Sequence, residues 1–303
     1  MDKSKLIDEI ISLKKEKKAL ILAHLYQSDD IQMMADYTGD SLELSRIAKE
    51  SDEQVIVFCG VRFMAETAKI LAPEKKIVFP VLDAKCDMAR MVDVNQVNAL
   101  KNEYPGAAVV CYVNSTSEVK AVSDYCCTSA NAVTLVENIE ENEIIFVPDK
   151  NLGAYVARNV PEKTFHFVRG FCPVHHALSI RDVESMREKY PGIRILAHPE
   201  CKMEVLDAVD FVGSTSKILA EARNSSDQKL IIATEEGTLY RLKKESPQKE
   251  FILLTDELVC RDMKKIGLNH LRDALKNLEP LIEVDEETSQ KARLALERML
   301  QYS

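Results

Sequence analysis

The feature of this sequence that most limits its possible folds is a threefold internal repeat with a period of 86 to 88 residues. The segments ALILAHLY, AAVVCYVN and IRILAHPE, which begin at Ala19, Ala107 and Ile193, align without gaps. Each segment is followed, at nearly the same distance, by an Asp with an aromatic residue directly after it. A hydroxyl residue then follows at a fixed spacing from the Asp. Coincidence is a very poor explanation for so many aligned features, so the chain uses one supersecondary unit three times.

The pattern within each repeat predicts parallel α/β structure. Apolar, strand-sized runs alternate with amphipathic segments, as they do where helices cover both faces of a parallel sheet. After the opening strand, a helix is predicted over 29–37, 118–125 and 204–211. Later strands are predicted over 55–59, 76–80, 144–147, 164–168, 230–233 and 251–254.

We therefore predict an α/β protein of three α/β/α sandwich domains with parallel sheets, related by a pseudo-threefold axis around a central cleft. The predicted domains are residues 1–102 with an N-terminal helix, residues 103–188, and residues 189–303 with a C-terminal helical tail. The tail, from Leu268 to Gln301, is helical in pattern and is interrupted near Pro280.

The composition argues against several classes of function. The formal net charge of −9 disfavours nucleic-acid binding, because a phosphate backbone needs a basic face. The longest apolar runs are strand-sized, so no membrane partner is predicted, and the charged N-terminal segment is not a secretory signal. We expect a cytoplasmic protein, in which the eight cysteines are thiols or metal ligands rather than disulfides.

Three of the cysteines extend the repeat. Cys86, Cys172 and Cys260 are separated by 86 and 88 residues, and each lies in the loop after the last predicted strand of its repeat. Three thiolates that meet on the pseudo-threefold axis suit an iron–sulfur cluster with one open iron, while a three-thiolate zinc site remains an alternative. The other cysteines have no counterparts across the repeats and are expected to be small buried residues: Cys59, Cys111, Cys126, Cys127 and Cys201.

Polar side chains end the first strand of each repeat. Ligands bind outside the carboxyl ends of parallel strands, so these residues should face one cleft. The six positions are His24, Tyr26, Tyr112, Asn114, His198 and Glu200. Two imidazoles, a carboxylate, two phenols and an amide form a set suited to general acid–base catalysis.

Hydroxyl residues precede a helical segment in each repeat, at Ser41, Ser129 and Thr215. Their ordinary role is to cap the helix, but a hydroxyl beside a helix N-terminus can also bind phosphate or a carboxylate. His175 and His176 follow Cys172 closely, and a structural role for them is at least as well supported as a place in the cleft.

Taken together, these residues resemble the A-type quinolinate synthase family. The similar stretches run from about residue 20 to residue 270 and include AHLYQ, VFCGVRFMAETAKIL, AKCDMA, CYVNSTSEVKAVSD, PDKNLG, CPVHH, AHPEC, GSTS, ATEEG and CRDMKKI. One departure is Val168, where many relatives carry an aromatic residue four positions before the cysteine. The resemblance implies three α/β domains around a [4Fe-4S] cluster. It also implies the condensation of iminoaspartate with dihydroxyacetone phosphate to quinolinate, for the biosynthesis of NAD.

The resemblance also implies site residues and partners. Cys86, Cys172 and Cys260 match the cluster ligands. The matched substrate-binding positions are His24, Ser41, Tyr112, Val113, Asn114, Ser129, His198, Pro199, Glu200 and Thr215. We take Tyr26, His24, His198 and Glu200 as the catalytic set. The partners implied are the two small-molecule substrates. A transient contact with an L-aspartate oxidase is also compatible with the resemblance.

Two other functions share the same cysteines. An iron–sulfur hydro-lyase would also use an open iron but would need no triose phosphate. A non-catalytic iron–sulfur sensor would replace the substrate by a fourth protein ligand and would have no use for the polar ring. Substrate dependence therefore separates these functions from the synthase.

Overall fold

Three open, four-stranded sheets form the framework of the computed structural model, which describes residues 2–302. The first unit consists of α1 Lys3–Lys17, β1 Ala19–His24, α2 Asp29–Met34, β2 Tyr37–Gly39, α3 Ser41–Glu50, β3 Val55–Cys59, α4 Arg62–Leu71, β4 Lys76–Val78 and a 3₁₀ turn, Met88–Arg90.

The second and third units repeat this order of elements. The second consists of α5 Val94–Glu103, β5 Ala108–Tyr112, α6 Ser117–Ala121, β6 Tyr125–Cys127, α7 Ala132–Asn138, β7 Glu143–Val147, α8 Lys150–Asn159, β8 Thr164–Phe167 and α9 Pro173–His176. The third consists of α10 Ile180–Lys189, β9 Arg194–Ala197, α11 Met203–Leu206, β10 Phe211–Val212, α12 Thr215–Asn224, β11 Lys229–Ala233, α13 Thr238–Glu245, β12 Glu250–Leu253 and a 3₁₀ turn, Met263–Lys265. The tail consists of α14 Leu268–Asn277 and α15 Glu286–Gln301.

The three sheets have equivalent strand orders, β2-β1-β3-β4, β6-β5-β7-β8 and β10-β9-β11-β12. Every pairing between neighbouring strands in these sheets is parallel. Strands β1 and β5 are buried along their whole length, as expected of strands covered by helices on both faces. The predicted α/β fold class, with three repeated parallel-sheet units, is confirmed.

A partly buried hydrogen bond to the central strand explains the Asp that recurs in each repeat. Asp36, Asp124 and Asp210 each accept the backbone N–H of the second or third residue of the central strand, at 2.8 Å in all three units. Each carboxylate thereby holds the loop before the edge strand against β1, β5 or β9. The Asp is a structural element of the unit.

The helices after the first strands are shorter than predicted. Helix α2 ends at Met34 rather than residue 37, α6 ends at Ala121 rather than 125, and α11 ends at Leu206 rather than 211. The aromatic residue after the Asp begins the edge strand instead, because the Asp carboxylate fixes this segment beside the central strand.

The C-terminal tail covers the first and second units. Helix α14 packs against α1, and α15 packs against α6, β6 and α4. Between them, the chain crosses the free edge of β4, where Phe79 N–H donates to Pro280 O and Ile282 N–H donates to Ile77 O, both at 2.9 Å. The interruption near Pro280 therefore protects a sheet edge.

The domain boundaries stay a prediction. The structure adds that α5 and α10 occupy the position of α1 at the start of a unit, whereas the predicted boundaries after 102 and 188 group them with the preceding unit. Met1 and Ser303 lie outside the described residues. Among residues 2–302, no helix has the length and apolar character needed to cross a membrane.

Candidate active site

A cavity of about 570 Å³ lies where the three units meet, beyond the carboxyl ends of the central strands. This is the place at which parallel sheets bind ligands. Twelve of the site residues predicted from the sequence line it: His24, Tyr26, Ser41, Cys86, Tyr112, Asn114, Ser129, Cys172, His198, Glu200, Thr215 and Cys260. Val113 and Pro199 are buried next to these residues in the chain but are not part of the lining.

The cysteines fall into two groups. Cys86, Cys172 and Cys260 are partly exposed and line the cavity, whereas the five cysteines without counterparts are buried. Each cavity cysteine lies one to three residues before a short helical turn, and a backbone N–H three residues further on, of Ala89, His175 or Met263, donates to its sulfur. The three units therefore present their thiols in the same local structure.

The three thiols fit an iron–sulfur cluster better than catalysis by a free thiolate. Burial raises the pKa of all three, that of Cys260 to about 11, so they are protonated at neutral pH until a metal replaces the proton. No fourth cysteine lines the cavity among the described residues, so a cubane would keep one iron without a protein thiolate.

The two histidines of the ring are held in one tautomer. The Nδ1 atom of His24 accepts the N–H of Tyr26 at 3.1 Å, and Nδ1 of His198 accepts the N–H of Glu200 at 3.4 Å. Each ring therefore carries its proton on Nε2, and that of His198 meets Ser129 Oγ at 3.1 Å. Burial lowers the pKa of both histidines to about 3, so they are neutral at pH 7.

Glu200 is the buried carboxylate at the centre of the site. Its Oε2 lies 2.6 Å from Nδ1 of His175, and the Tyr112 hydroxyl donates to it as well. Burial alone would raise the pKa of Glu200, but the histidines and the Tyr112 hydroxyl outweigh burial and lower it. The hydrogen bonds from His175 and Tyr112 also favour the ionised form of Glu200.

A chain of hydrogen bonds joins Glu200 to Tyr26 and involves residues of all three units. Nε2 of His175 lies 3.0 Å from Thr234 Oγ1, which lies 2.9 Å from the Tyr26 hydroxyl. The Tyr26 hydroxyl also lies 2.9 Å from Thr215 Oγ1. Burial raises the pKa of Tyr26 well above its usual value, so its phenol is neutral and can donate a proton. Cys172, His175 and Glu200 also lie close enough to share a metal ion, but these hydrogen bonds already account for their contacts.

Comparison with known proteins assigns the family. Residues 8–301 match the family described as quinolinate synthetase A protein (NadA). The chain belongs to the quinolinate synthetase A family.

Three relatives, each named quinolinate synthase, match almost end to end. That of Clostridium perfringens (strain 13 / Type A) is 50% identical over 292 residues, which cover 96% of this chain and 97% of the relative. That of Clostridioides difficile (strain 630) is 50% identical over 299 residues, or 99% and 98% of the two chains. That of Alkaliphilus metalliredigens (strain QYMF) is 48% identical over 301 residues, or 99% of both chains. The resemblance to quinolinate synthase seen in the sequence is thus confirmed at the level of the family.

Two of the three predicted hydroxyl residues of this quinolinate synthetase A family member are the first residues of helices, whereas Ser129 lies two residues before the N-cap Asn131 of α7. Asp40 caps α3 by accepting the N–H groups of Leu42 and Glu43, and Ser214 caps α12. Ser41 and Thr215 are therefore the first helical residues, and their hydroxyls face the cavity. Because the caps already use part of the free N–H groups, the hydroxyls rather than the helix ends are the groups left for an anion.

Several residues in or next to the site were not predicted from the sequence. Thr234 and Glu235 follow β11, and Asp149 follows β7, at positions that align across the repeats with Gly60 and Val61. The signal was available, because β3, β7 and β11 are the second central strands and end at the same edge as β1, β5 and β9. Arg261, which adds a cation to the cavity lining, carried no repeat signal.

The neutral histidines predict a loss of stability in acid. The unfolded chain binds a proton on His24 below about pH 6.5, whereas the folded protein does so only near pH 3. Stability is therefore complete above pH 6.5 and falls as the pH decreases, by about 2 kcal/mol for one such histidine between pH 7 and pH 5.

Urea unfolding of cluster-free protein at these two pH values measures the effect. We expect His24→Gln to reduce the acid-dependent loss by that amount, whereas His270→Gln, a change at an exposed position on α14, should leave it as in the unaltered protein. An equal loss in all three proteins would show that His24 is not held neutral.

Proposed function

We propose that this protein is a quinolinate synthase, a transferase that condenses iminoaspartate with dihydroxyacetone phosphate. The products are quinolinate, phosphate and two water molecules, which balances the atoms of the two substrates. The main support for this proposal is that three cysteines and the six polar residues of the acid–base ring line the same cavity in a member of this family. Both substrates are small anions, and the cavity of about 570 Å³ is in the size range of small-molecule sites.

Cys86, Cys172 and Cys260 would hold a [4Fe-4S] cluster. When bound, the cluster supplies a Lewis acid that polarises a substrate oxygen or nitrogen. The N–H groups at the three sulfurs favour the thiolate form that binds iron.

Uncharged polar groups would bind the anionic parts of the substrates. The hydroxyls of Ser41, Ser129 and Thr215 come from three different units, so they can hold a phosphate and carboxylates at separate points of the cavity. Asn114 has a buried Oδ1 with no hydrogen-bond partner among the described residues. This amide oxygen and the neighbouring Tyr112 suit the amino-acid half of the product, whose nitrogen and carboxyl groups can donate or accept.

The ring would move the protons of the reaction. Glu200 is an ionised base that can remove a proton next to the triose carbonyl. His24 and His198 can donate from Nε2 to an oxygen that gains charge, and Tyr26 can protonate a departing hydroxyl group. Glu200 and Tyr26 are joined by hydrogen bonds through His175 and Thr234. When Glu200 takes up a proton from the substrate, Tyr26 can therefore give up a proton at the other end of this chain.

Removal of the Tyr26 hydroxyl should slow turnover. We expect Tyr26→Phe to lower kcat by about 10²- to 10⁴-fold, the usual contribution of a positioned acid or base, with a smaller change in KM. The ring remains in place, so iron content should not change. Tyr37→Phe, which removes a phenol from an exposed position on β2, is the matched control and should behave as the unaltered enzyme. An unchanged kcat for Tyr26→Phe would remove Tyr26 from the catalytic set.

We place this reaction in the cytoplasm. The imine substrate hydrolyses readily in water, so rapid delivery by an L-aspartate oxidase, through a transient contact, would favour turnover. Nothing in the acidic composition suits a nucleic acid as a further partner.

Growth of a bacterial strain that lacks its own quinolinate synthase tests the proposal in vivo. We expect the gene for this chain to restore growth without nicotinate and the Tyr26→Phe form to restore it poorly. Failure of the intact gene to restore growth, with folded and cluster-bearing protein present in the cells, would favour a hydro-lyase or a sensor.

A further inference from the structure

Glu235 is a fully buried carboxylate at the end of β11 that binds the backbone of a cavity cysteine. Its Oε1 accepts the N–H of Cys260 at 2.9 Å, and its Oε2 accepts the N–H of Gly237 at 2.7 Å. Bonds from backbone N–H groups to a carboxylate are among the stronger hydrogen bonds in proteins. The sheet of the third unit is therefore tied directly to the loop that carries Cys260.

Lys264 extends this tie to the first unit. Its Nζ lies 2.9 Å from Glu235 Oε1 and donates to the carbonyl oxygen of Tyr26 at 2.8 Å. Beside it, Gln32 Nε2 donates to Gly237 O at 2.8 Å and to Leu25 O at 2.9 Å. The loop of Cys260 and the loop of Tyr26 are thus held by the same charged pair.

The same position carries a carboxylate in a second unit. Glu235 aligns with Asp149, which is also fully buried and lies after β7. Asp149 Oδ1 accepts the N–H groups of Asn151 and Leu152 at 2.8 and 3.1 Å, while Oδ2 has no hydrogen-bond partner among the described residues. In the first unit the aligned residue is Val61, whose side chain has no acceptor. Among residues 2–302, the hydrogen bond from a cavity cysteine N–H to the carboxylate at this position is therefore a feature of the third unit.

We propose that Glu235 is a positioning residue that fixes the Cys260 thiol for the cofactor and, through Lys264, fixes the loop of Tyr26 relative to it. This inference rests on the proposed function. It predicts that the retention of iron depends on the hydrogen-bond acceptor at residue 235, whereas the coupling to Tyr26 depends on its charge.

Iron release from anaerobically reconstituted protein tests the first part. An iron(II) chelator is added to the intact protein, to Glu235→Gln and to Glu235→Leu, and release is followed by absorbance. We expect release about 10- to 100-fold faster for Glu235→Leu, as for other residues that position a metal ligand. Glu235→Gln should release iron about as slowly as the intact protein, because its amide oxygen still accepts the Cys260 N–H. Equal release from Glu235→Leu and the intact protein, or equally fast release from both variants, would overturn the inference.

Asp210→Asn is the matched control, since Asp210 accepts a backbone N–H in the same unit but does not line the cavity. It should retain iron normally. Circular dichroism of each variant separates local loosening from unfolding, and Glu235→Gln keeps the test decisive should Glu235→Leu not fold.

Turnover of Glu235→Gln tests the second part. This variant removes the buried anionic partner of Lys264 and leaves it only the more exposed Glu236, whose Oε1 lies 3.5 Å away. The loop of Tyr26 is then held less firmly, so kcat should fall at full iron content. An unchanged kcat would show that Lys264 does not couple the two loops. If the intact, cluster-bearing protein forms no quinolinate, the proposed function fails, but the chelator experiment still decides the role of Glu235.

Discussion

Cys172→Ala should abolish iron binding and catalysis while the fold is kept. The thiol faces the cavity and packs at the edge of the hydrophobic core rather than within it, so its removal should leave the packing of the units nearly intact. The cluster would lose one of its three protein ligands. A metal Lewis acid contributes several kcal/mol to a transition state, so we expect quinolinate formation to fall by about three orders of magnitude or more. Iron and sulfide analysis after reconstitution, together with an activity assay, measures both effects.

Cys201→Ala is the matched control for this prediction. Cys201 lies in the same region of the chain but is fully buried in the core of the third unit. Its replacement should leave iron content unchanged and cost only a modest amount of stability. Iron content that is normal in Cys172→Ala and lost in Cys201→Ala would mean that the wrong cysteines have been assigned to the cluster.

Glu200→Gln should leave an enzyme that binds its cluster but turns over very slowly. Glutamine keeps the size of the side chain and can still accept a hydrogen bond from His175 or Tyr112, but it cannot take up a proton. We expect kcat to fall by about 10²- to 10⁴-fold, with iron content unchanged. Steady-state kinetics on reconstituted protein, with kcat and KM determined for both substrates, measures the effect.

Glu204→Gln provides the control for Glu200→Gln. Glu204 lies on α11, four residues further along the chain, and its side chain is about half exposed. This change should not alter kcat. A Glu200→Gln enzyme with nearly full kcat would exclude Glu200 as the base and would leave His24 and His198 as the remaining proton carriers.

The sequence was a good guide to the fold because the repeat supplied three copies of each signal. Strands β3 and β11 occur where the apolar runs predict them, within one residue. The short edge strands β2 and β10 were not predicted, because three and two residues are too few to show a strand pattern. Their positions depend on the hydrogen bonds of Asp36 and Asp210 to the central strands. The packing of α15 on the second unit could not be predicted either, since an amphipathic helix does not indicate which surface it covers.

The candidate site was predictable where it follows from the repeat. His24, Tyr112 and His198 end equivalent strands, so parallel topology alone brings them together. His175 and Thr234 were harder to foresee, because their importance lies in hydrogen bonds between units that are far apart in the chain. Such contacts depend on how the three units pack against one another, and the spacing of the sequence repeats does not determine this packing.

The pseudo-symmetric framework and its asymmetric side chains serve different purposes. Each unit presents its cysteine in a similar way, as a cluster on the axis would require. The ring positions differ instead, as the proposed reaction of two dissimilar substrates would require. Glu200 occurs in only one unit, and its aligned partners are Tyr26 and Asn114.

The function proposed for this protein can be tested by an anaerobic assay of protein reconstituted with iron and sulfide. Dihydroxyacetone phosphate is supplied together with imine formed from oxaloacetate and ammonia, and quinolinate is quantified by chromatography. We expect quinolinate to form only when both substrates are present, with one phosphate released for each product molecule, and its formation to be abolished by exposure to air. If protein with an intact cluster forms no quinolinate, the protein is not a quinolinate synthase.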